Sequence, residues 1–394
     1  MTARTSASRR RGYDGVALCV PQAVPYERYS DFGAHRFFGR LLKAMLDGSG
    51  IDKDRIDGLC VSSFSLAPDN AVGVADQMGL SLTWLDDIPF GGASAIVALR
   101  RAARAVQAGD ADIVACLAAD TNQADSFRRN TASFSLFSQD AVYPYGSGGP
   151  NASFAFLTDH YMRTYGATAE DFGAICIAQR DNATANPGAL FRTPLTMETY
   201  LAAPMIADPV RLYDCVMPCA GAEGFFVMRE DIAADHGLPF ARLLAASEQH
   251  NPFPDDPVQI RGGWARDSEK LFGQAGIGRG DIDFVQVYDD YPVIVMLQLE
   301  DLGFCKKGEA RALIAGHDLR TTGSFPLNTS GGQLSVGQAG AAGGFLGLVE
   351  GIRQLTGQAL GATVAKPRTG LVSGFGMINY DRGLCSGAAI LAGA

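Results

Sequence analysis

The sequence predicts an α/β protein built from two similar halves, and three observations carry that prediction. Strand-like and helix-like runs alternate through most of the 394 residues. A short pattern near residue 50 returns near residue 276. Helices opened by paired glycines, at Gly91-Gly92 and Gly331-Gly332, follow in the same order in each half. Taken along the chain, residues 16–20 and 58–62 read as buried strands, with a helix over 37–46 between them. Residues 95–107 form a helix by their Ala/Leu/Arg pattern, and the strand 112–118 follows. This rhythm predicts a mostly parallel sheet with helices on its faces.

The repeat is specific in its spacing. Gly50-Ile51 and Ile56-Asp57 lead into a strand at Val61, while Gly276-Ile277 and Ile282-Asp283 lead into Val287. Positions 50 and 276, 56 and 282, and 61 and 287 are each 226 residues apart. The two glycine-opened helices are each followed by a strand, at 112–118 and 370–374. Duplication accounts for this order. The first half carries an insertion between about 120 and 209, rich in Ser, Asn, Tyr and Pro around 133–154. Helical segments are expected there at 159–165 and 171–182. An insertion of this length in an α/β lobe reads as a lid or substrate-binding subdomain. The first half closes with 221–228. The expected organisation is a disordered tail over 1–14, an N-terminal half over 15–240 and a C-terminal half over 241–394.

Composition narrows the class. Apolar residues make up 47% and charged residues 19%, as in an ordinary globular protein. The net charge of −9 argues against a nucleic-acid binder. No apolar run reaches the length of a membrane span. Residues 1–12 carry Arg4, Arg9, Arg10 and Arg11, but Tyr13-Asp14-Gly15 stands where a signal peptide would have its apolar core. A transit peptide is the alternative to a disordered tail. The eight cysteines are scattered, with Cys19, Cys60, Cys116 and Cys176 inside apolar runs. Buried free thiols in a reducing cytoplasm are the expectation. Cys215 and Cys219 are the only close pair and make a weak case for zinc. No metal constellation is visible, and Gly374-Phe375-Gly376 is too short to signal a dinucleotide site.

The segment Asn328-Thr329-Ser330-Gly331-Gly332-Gln333-Leu334-Ser335-Val336-Gly337-Gln338-Ala339-Gly340 is packed with small residues, so its backbone can approach a ligand closely. The helix that follows, through Glu350 and Arg353, would aim its first N–H groups at that ligand. Together with YMRTYGATAEDFGAICIAQRDNATANP at 161–187 and VYDDYPVIVMLQLEDLGFCKKGEA at 287–310, this segment resembles the thiolase superfamily. The branch it resembles most is that of sterol-carrier-protein-type thiolases and thiolase-like steroid side-chain aldolases. The resemblance runs from about Gly15 to Leu391. It implies a thiolase fold with βαβαβ halves in a five-layer α-β-α-β-α arrangement, a homodimer and an acyl-CoA ligand. CoA is expected only as part of the substrate, with no other cofactor. A heterotetramer with a small OB-fold and zinc-ribbon partner is implied by the aldolases alone.

The chain departs from the family where thiolase chemistry resides. Alignment of Gly92-Ala93-Ser94-Ala95-Ile96-Val97-Ala98 puts Gly92 where thiolases carry a nucleophilic cysteine. Tyr288-Asp289 stands where the sterol-carrier branch has a histidine followed by Asp, and Gln338 replaces the histidine of the glycine-rich loop. The C-terminal loop Ser373-Gly374-Phe375-Gly376-Met377-Ile378-Asn379-Tyr380 lacks the second cysteine. Glycine can be neither acyl acceptor nor base, so the covalent route is not expected.

A retro-aldol reaction asks for less. A base takes the proton of a 3-hydroxyacyl thioester, C2–C3 breaks, donors hold the enolate and an acid reprotonates carbon. The space left at Gly92 is expected to hold the substrate hydroxyl. Tyr288 and Tyr380 are the candidate proton carriers, although a phenol near pKa 10 is a poor base unless depressed. Asp289 and Asp290 are placed to orient Tyr288, and Gln338 to donate to an enolate oxygen. Gly92, Gly337 and Gly376 are candidate backbone donors. Ser94 is the nearest hydroxyl, with a hydrogen-bonding role at the helix N-terminus as its plain alternative. Tyr288 has a plain alternative too, as the edge of the core. His35, His160, His236, His250 and His317 lie outside these loops. The leading function is thus a lyase shortening a steroidal or aromatic acyl-CoA. A silent acyl-CoA- or lipid-binding subunit and a thioester decarboxylase or non-covalent acyl-transfer enzyme stand as alternatives.

Overall fold

A computed structural model describes residues 12–126, 142–146, 149–379 and 382–394. Most of the expected tail, part of the insertion and Tyr380 therefore lie outside the described residues. Among the described residues nine strands form one continuous sheet. From the N-terminal half come β1 (Val16–Glu27), β2 (Gly58–Ser62), β3 (Trp84–Asp87) and β4 (Ile113–Asp120). A small hairpin in the insertion holds β5 (Met205–Ala207) and β6 (Val210–Arg211). Then follow β7 (Ala220–Arg229), β8 (Phe240–His250), β9 (Phe284–Gln286), β10 (Thr369–Asn379) and β11 (Arg382–Gly393). The order across the sheet is β3-β2-β4-β7-β1-β8-β11-β10-β9.

Parallel pairing is confined to the two flanks, β3/β2/β4 and β10/β9, while the strands between them pair antiparallel. The βαβ rhythm accounts for the flanks. The parallel pairing it predicts does not extend to the middle, where long strands meet antiparallel through β1 and β8.

The repeat is a structural repeat. Helix Ala34–Ser49 buries Phe37, Phe38, Leu41, Leu42 and Met45 on one face and ends at Gly50. Gly50 takes the left-handed conformation, φ 67°, and its N–H bonds Leu46 O. Helix Trp264–Ala275 ends in the same way at Gly276, φ 70°, bonded to Phe272 O. Only glycine adopts this cap without strain. A single 3-10 turn then follows in each half, Lys53–Arg55 and Arg279–Asp281, and leads into β2 and β9.

Strand side chains alternate between two faces. On β4, Ile113, Ala115 and Leu117 face one apolar cluster while Val114, Cys116 and Ala118 face another. On β11, Ala389 and Leu391 face the second cluster, and Ala388 and Ile390 a third. The shared cluster holds helices Ser94–Ala108 and Ala342–Thr356 between the two arms of the sheet. The outer clusters are covered by helix Ala34–Ser49 on one side and by helices Trp264–Ala275 and Pro292–Asp301 on the other. Five layers, α-β-α-β-α, result. The insertion supplies helices Pro150–Tyr165 and Ala169–Thr184, which join the outer cluster of the second half. The first starts earlier than its sequence reading, because Pro150 suits a first helical turn. Among the described residues no helix is long and apolar enough to cross a membrane.

The central layer is not wholly apolar. Glu223 on β7 is buried, and burial pushes its carboxyl up to about 8 despite the pull of the Arg353 guanidinium. Its usual value is 4.5, so the unfolded chain ionises first and the folded state loses stability as pH rises from there. Each tenfold change in proton affinity is worth about 1.4 kcal/mol, so the loss reaches a few kcal/mol and levels off above pH 8. Glu223→Gln should therefore gain stability over the natural chain in denaturant titrations, by a margin that widens between about pH 5 and pH 8. A margin independent of pH would contradict this reading.

Candidate active site

A cavity of about 420 Å³ opens where the two halves meet the insertion. Tyr288, Gln338, Gly92 and Gly376 all border it. Tyr288 follows β9, and its backbone is clamped by a side chain from helix Pro292–Asp301. Its N–H donates to Gln298 Oε1 at 3.1 Å, and Gln298 Nε2 donates back to Tyr288 O at 2.6 Å. Ser373 Oγ on β10 donates to the same Gln298 oxygen at 2.7 Å. The tyrosine is thus fixed by both flanking elements, and only 8% of it is exposed.

Its ring fills the position that a side chain at residue 92 would take. A Cβ built on Gly92 would lie 2.2 Å from Tyr288 Cε2 and 2.2 Å from Phe375 O. The expected space for a substrate hydroxyl beside Gly92 is therefore closed by the phenol ring. Helix Ala342–Thr356 presses in from the other side, where a Cβ on Gly344 would meet Gly91 O at 2.7 Å.

The Tyr288 hydroxyl oxygen accepts a hydrogen bond from Gln338 Nε2 at 3.0 Å. Since Gln338 is the donor, the phenol hydrogen remains for another acceptor. Burial and the neighbouring Asp290 push this phenol well above its usual range, with the Gln338 bond opposing. This favours the protonated phenol, whereas the base considered from the sequence needs a depressed one. Gln338 is held by its own backbone, which donates to Met217 O at 2.9 Å and accepts from Cys219 N at 3.0 Å. Its amide is thus engaged with the tyrosine and not presented alone to an enolate.

Other sequence candidates sit elsewhere. Gly337, φ 115°, does not border the cavity; it packs on Cys219, Leu190 and Tyr26 and lets the chain turn before Gln338. Ser94 is fully buried, donating to Ile88 O at 2.9 Å and accepting from Phe90 N at 3.0 Å, so it is the hydrogen-bonding residue at the helix N-terminus of its plain reading, tied to the loop before the helix. Asp289 points away from the cavity into the start of the short helix Gly332–Val336, accepting from Gln333 N at 3.0 Å and Leu334 N at 3.3 Å. Asp290 borders the cavity, and burial and Asp289 push its carboxyl well above the usual range. Tyr380 lies outside the described residues.

Two features were not singled out from the sequence. Asp120, at the end of β4, borders the cavity and accepts from Ser63 Oγ, Ser65 N and Ala341 N at 2.8, 2.7 and 2.6 Å. It ties the loop after β2 to the first turn of helix Ala342–Thr356. Met377, next to Gly376 on the wall, holds φ 39°, a left-handed conformation rare for a side-chain-bearing residue.

Cys215 and Cys219 border the cavity as well. Burial, aided by Asp214 and Asp290, pushes the Cys215 thiol up to about 12. Burial and Glu223 push Cys219 well up too. Both are held as thiols, and the thiolate is the nucleophile. Among the described residues, no group of three His, Cys, Asp or Glu side chains is placed to hold a metal ion.

The profile of a family described as thiolase C-terminal domain-like matches residues 246–385. The 17-hydroxy-3-oxo-4-pregnene-20-carboxyl-CoA lyase of Mycobacterium tuberculosis is 31% identical over 356 residues, covering 86% of this chain and 90% of that protein. The steroid side-chain-cleaving aldolase of Thermomonospora curvata is 31% identical over 334 residues, 80% of this chain and 84% of that one. The solved Ltp2-ChsH2(DUF35) aldolase superposes with a TM-score of 0.82 at 26% identity, covering 96% of this chain and 98% of that one.

The contact between residue 92 and Tyr288 makes a direct prediction. Gly92→Ala should destabilise the fold by about 1–3 kcal/mol in chemical denaturation, as overpacking does. The loss should shrink in a Tyr288→Ala background, where the ring is gone. Equal losses in both backgrounds would mean that the tyrosine does not occupy this space.

Proposed function

This chain belongs to the thiolase superfamily, alongside the steroid side-chain-cleaving aldolases, and we propose that it cleaves the C2–C3 bond of a 3-hydroxyacyl-CoA thioester by a retro-aldol route. The observation that carries the reading is the phenol ring of Tyr288 in the place of a side chain at residue 92. Covalent acyl transfer needs a nucleophile and a base to activate it. Here that place is filled by a phenol, and the nearby thiols are kept protonated by burial. A retro-aldol cleavage forms no acyl-enzyme. It needs a proton acceptor for the hydroxyl and donors for the enolate.

Tyr288 is suited to the second task. Its hydrogen is free of Gln338, and its raised pKa keeps it protonated. We assign it to the thioester oxygen, where charge grows as the bond breaks. Gly92 and Gly376 bring backbone to the same wall. The name of the Mycobacterium tuberculosis relative describes a thioester of this kind. A hydroxyl on carbon 17 and a carboxyl on carbon 20 make the hydroxyl β to the thioester carbonyl. We extend the class, a bulky steroidal or aromatic 3-hydroxyacyl-CoA, to this chain. A second subunit of OB-fold and zinc-ribbon type belongs to the reading, supported by the ChsH2(DUF35) component named in the solved neighbour. CoA enters as part of the substrate.

The test is mass spectrometry of products from a panel of 3-hydroxyacyl-CoAs, with the protein alone and with its co-purifying subunit. A ketone or aldehyde should appear together with a shortened acyl-CoA. Tyr288→Phe should lower turnover roughly 100- to 10,000-fold while thioester binding changes little, because only the donor is removed. Full activity in that variant would move the donor elsewhere, first to Tyr380. Acetyl transfer to free CoA by the natural chain would overturn the lyase reading.

A further inference from the structure

We infer that Asp290 is the general base of this cavity, taking the proton from the 3-hydroxyl of the bound thioester and returning it to C2. The inference rests on the retro-aldol reading and supplies the one role that Tyr288 cannot fill. Every other titratable or polar group discussed on the cavity wall is accounted for. Gln338 does not titrate, and Tyr288, Cys215 and Cys219 hold their protons. Asp120 is occupied by hydroxyl and backbone donors from two segments of chain, residues 63–65 and Ala341. The Tyr291 hydroxyl donates to Asn151 Oδ1.

Asp290 differs from all of these. It borders the cavity, it is 6% exposed, and its Oδ1 has no hydrogen-bond partner among the described residues. Folded proteins leave few buried polar atoms without a partner, because the lost hydration is not recovered. Asp289, one residue away, shows the contrast: its carboxylate is satisfied by the start of a helix. Successive residues leaving β9 thus send one carboxyl into the structure and the other to the cavity wall. A substrate hydroxyl is the donor that this buried oxygen lacks.

Asp289, which precedes Asp290 in the chain, acts on it with the same sign, while the backbone N–H groups of Tyr291 and of Asp290 itself pull the other way. Tyr288, Tyr291 and Cys215 are the titratable groups that its charge in turn pushes up. Burial and Asp289 raise its proton affinity, which makes the ionised form a stronger base than a surface carboxylate.

The step balances within the substrate. Asp290 takes the hydroxyl proton, and the O–H electron pair becomes the second bond of a carbonyl at C3. The C2–C3 bond breaks, and its pair passes into the thioester as an enolate held by Tyr288. Asp290 then gives the proton to C2, and the carboxylate is restored. The two products together have the composition of the substrate, and no water or redox partner is consumed.

The experiment compares the natural chain with Asp290→Asn and Asp290→Glu on whichever 3-hydroxyacyl-CoA of the panel is cleaved, with any co-purifying subunit present. Asp290→Asn should lower kcat roughly 100- to 10,000-fold with KM within about threefold of the natural value. It should abolish the limb of the kcat profile that rises with pH as the carboxyl ionises. Its melting temperature should be equal or higher, since an unpaired buried carboxyl is removed. Asp290→Glu should restore part of the rate and the rising limb. Turnover of Asp290→Asn within about threefold of the natural chain, or a profile that keeps its limb, would overturn the assignment and leave the lyase reading intact. So would a collapse in melting temperature that Asp290→Glu does not repair. A natural chain that cleaves no member of the panel would overturn the lyase reading and this inference with it.

Discussion

The close packing of the Tyr288 ring on Gly92 is the contact on which the rest of the site depends. Neither residue tolerates much change in the other. A Cβ at position 92 would overlap the ring, and the ring reaches that position only because Gln298 grips the tyrosine backbone on both its polar groups. The hydroxyl is then delivered to Gln338, whose own backbone is tied to residues 217 and 219. Four segments distant in sequence meet at one phenol. The start of a buried helix, where its dipole would favour a thiolate, is thereby occupied by a neutral aromatic acid.

The duplicated fold explains how the segments arrive there. Each half contributes a helix to the central layer, Ser94–Ala108 and Ala342–Thr356, and carries its strand ends to the same rim; Gly331-Gly332 open a separate short helix, Gly332–Val336, before the second of these. Gly92 comes from the first half, Tyr288 and Gln338 from the second. Asn151 from the insertion and Cys215 from the segment before β7 close the rim. Asp120 joins the two halves directly, since its carboxylate bonds both the loop after β2 and Ala341 N at the start of the second central helix. Burial then decides the protonation of what borders the cavity. Phenols, thiols and carboxyls are all pushed toward their neutral forms, and a carboxyl so raised is a strong base in the fraction that ionises.

Much of the frame was legible because it rests on local rules. Left-handed glycine caps at 50 and 276, each followed by Ile and a 3-10 turn, repeat visibly in sequence. The antiparallel middle of the sheet was not legible, because hydrophobic periodicity carries no information on pairing direction. At the site, the departures at 92, 288 and 338 pointed to the right wall of the cavity. The pairing of Gly92 with the Tyr288 ring was hidden, since a missing side chain does not say what fills its place. Asp289 and Asp290 could not be separated for a related reason. Adjacent residues leaving a strand face different ways, and the face is set by tertiary contacts. Gln298 and Asp120 lie within buried elements, where a polar residue gives no sign of the partner it will find.

The central claim is that cleavage proceeds without an acyl-enzyme, because a tyrosine stands where the nucleophile would be. Intact-protein mass spectrometry during turnover of a cleavable 3-hydroxyacyl-CoA tests it most directly. The account predicts an unmodified protein mass while the carbonyl product and the shortened acyl-CoA accumulate together. An acyl adduct that forms and decays at the rate of turnover, on Cys215, Cys219 or any other side chain, would contradict it.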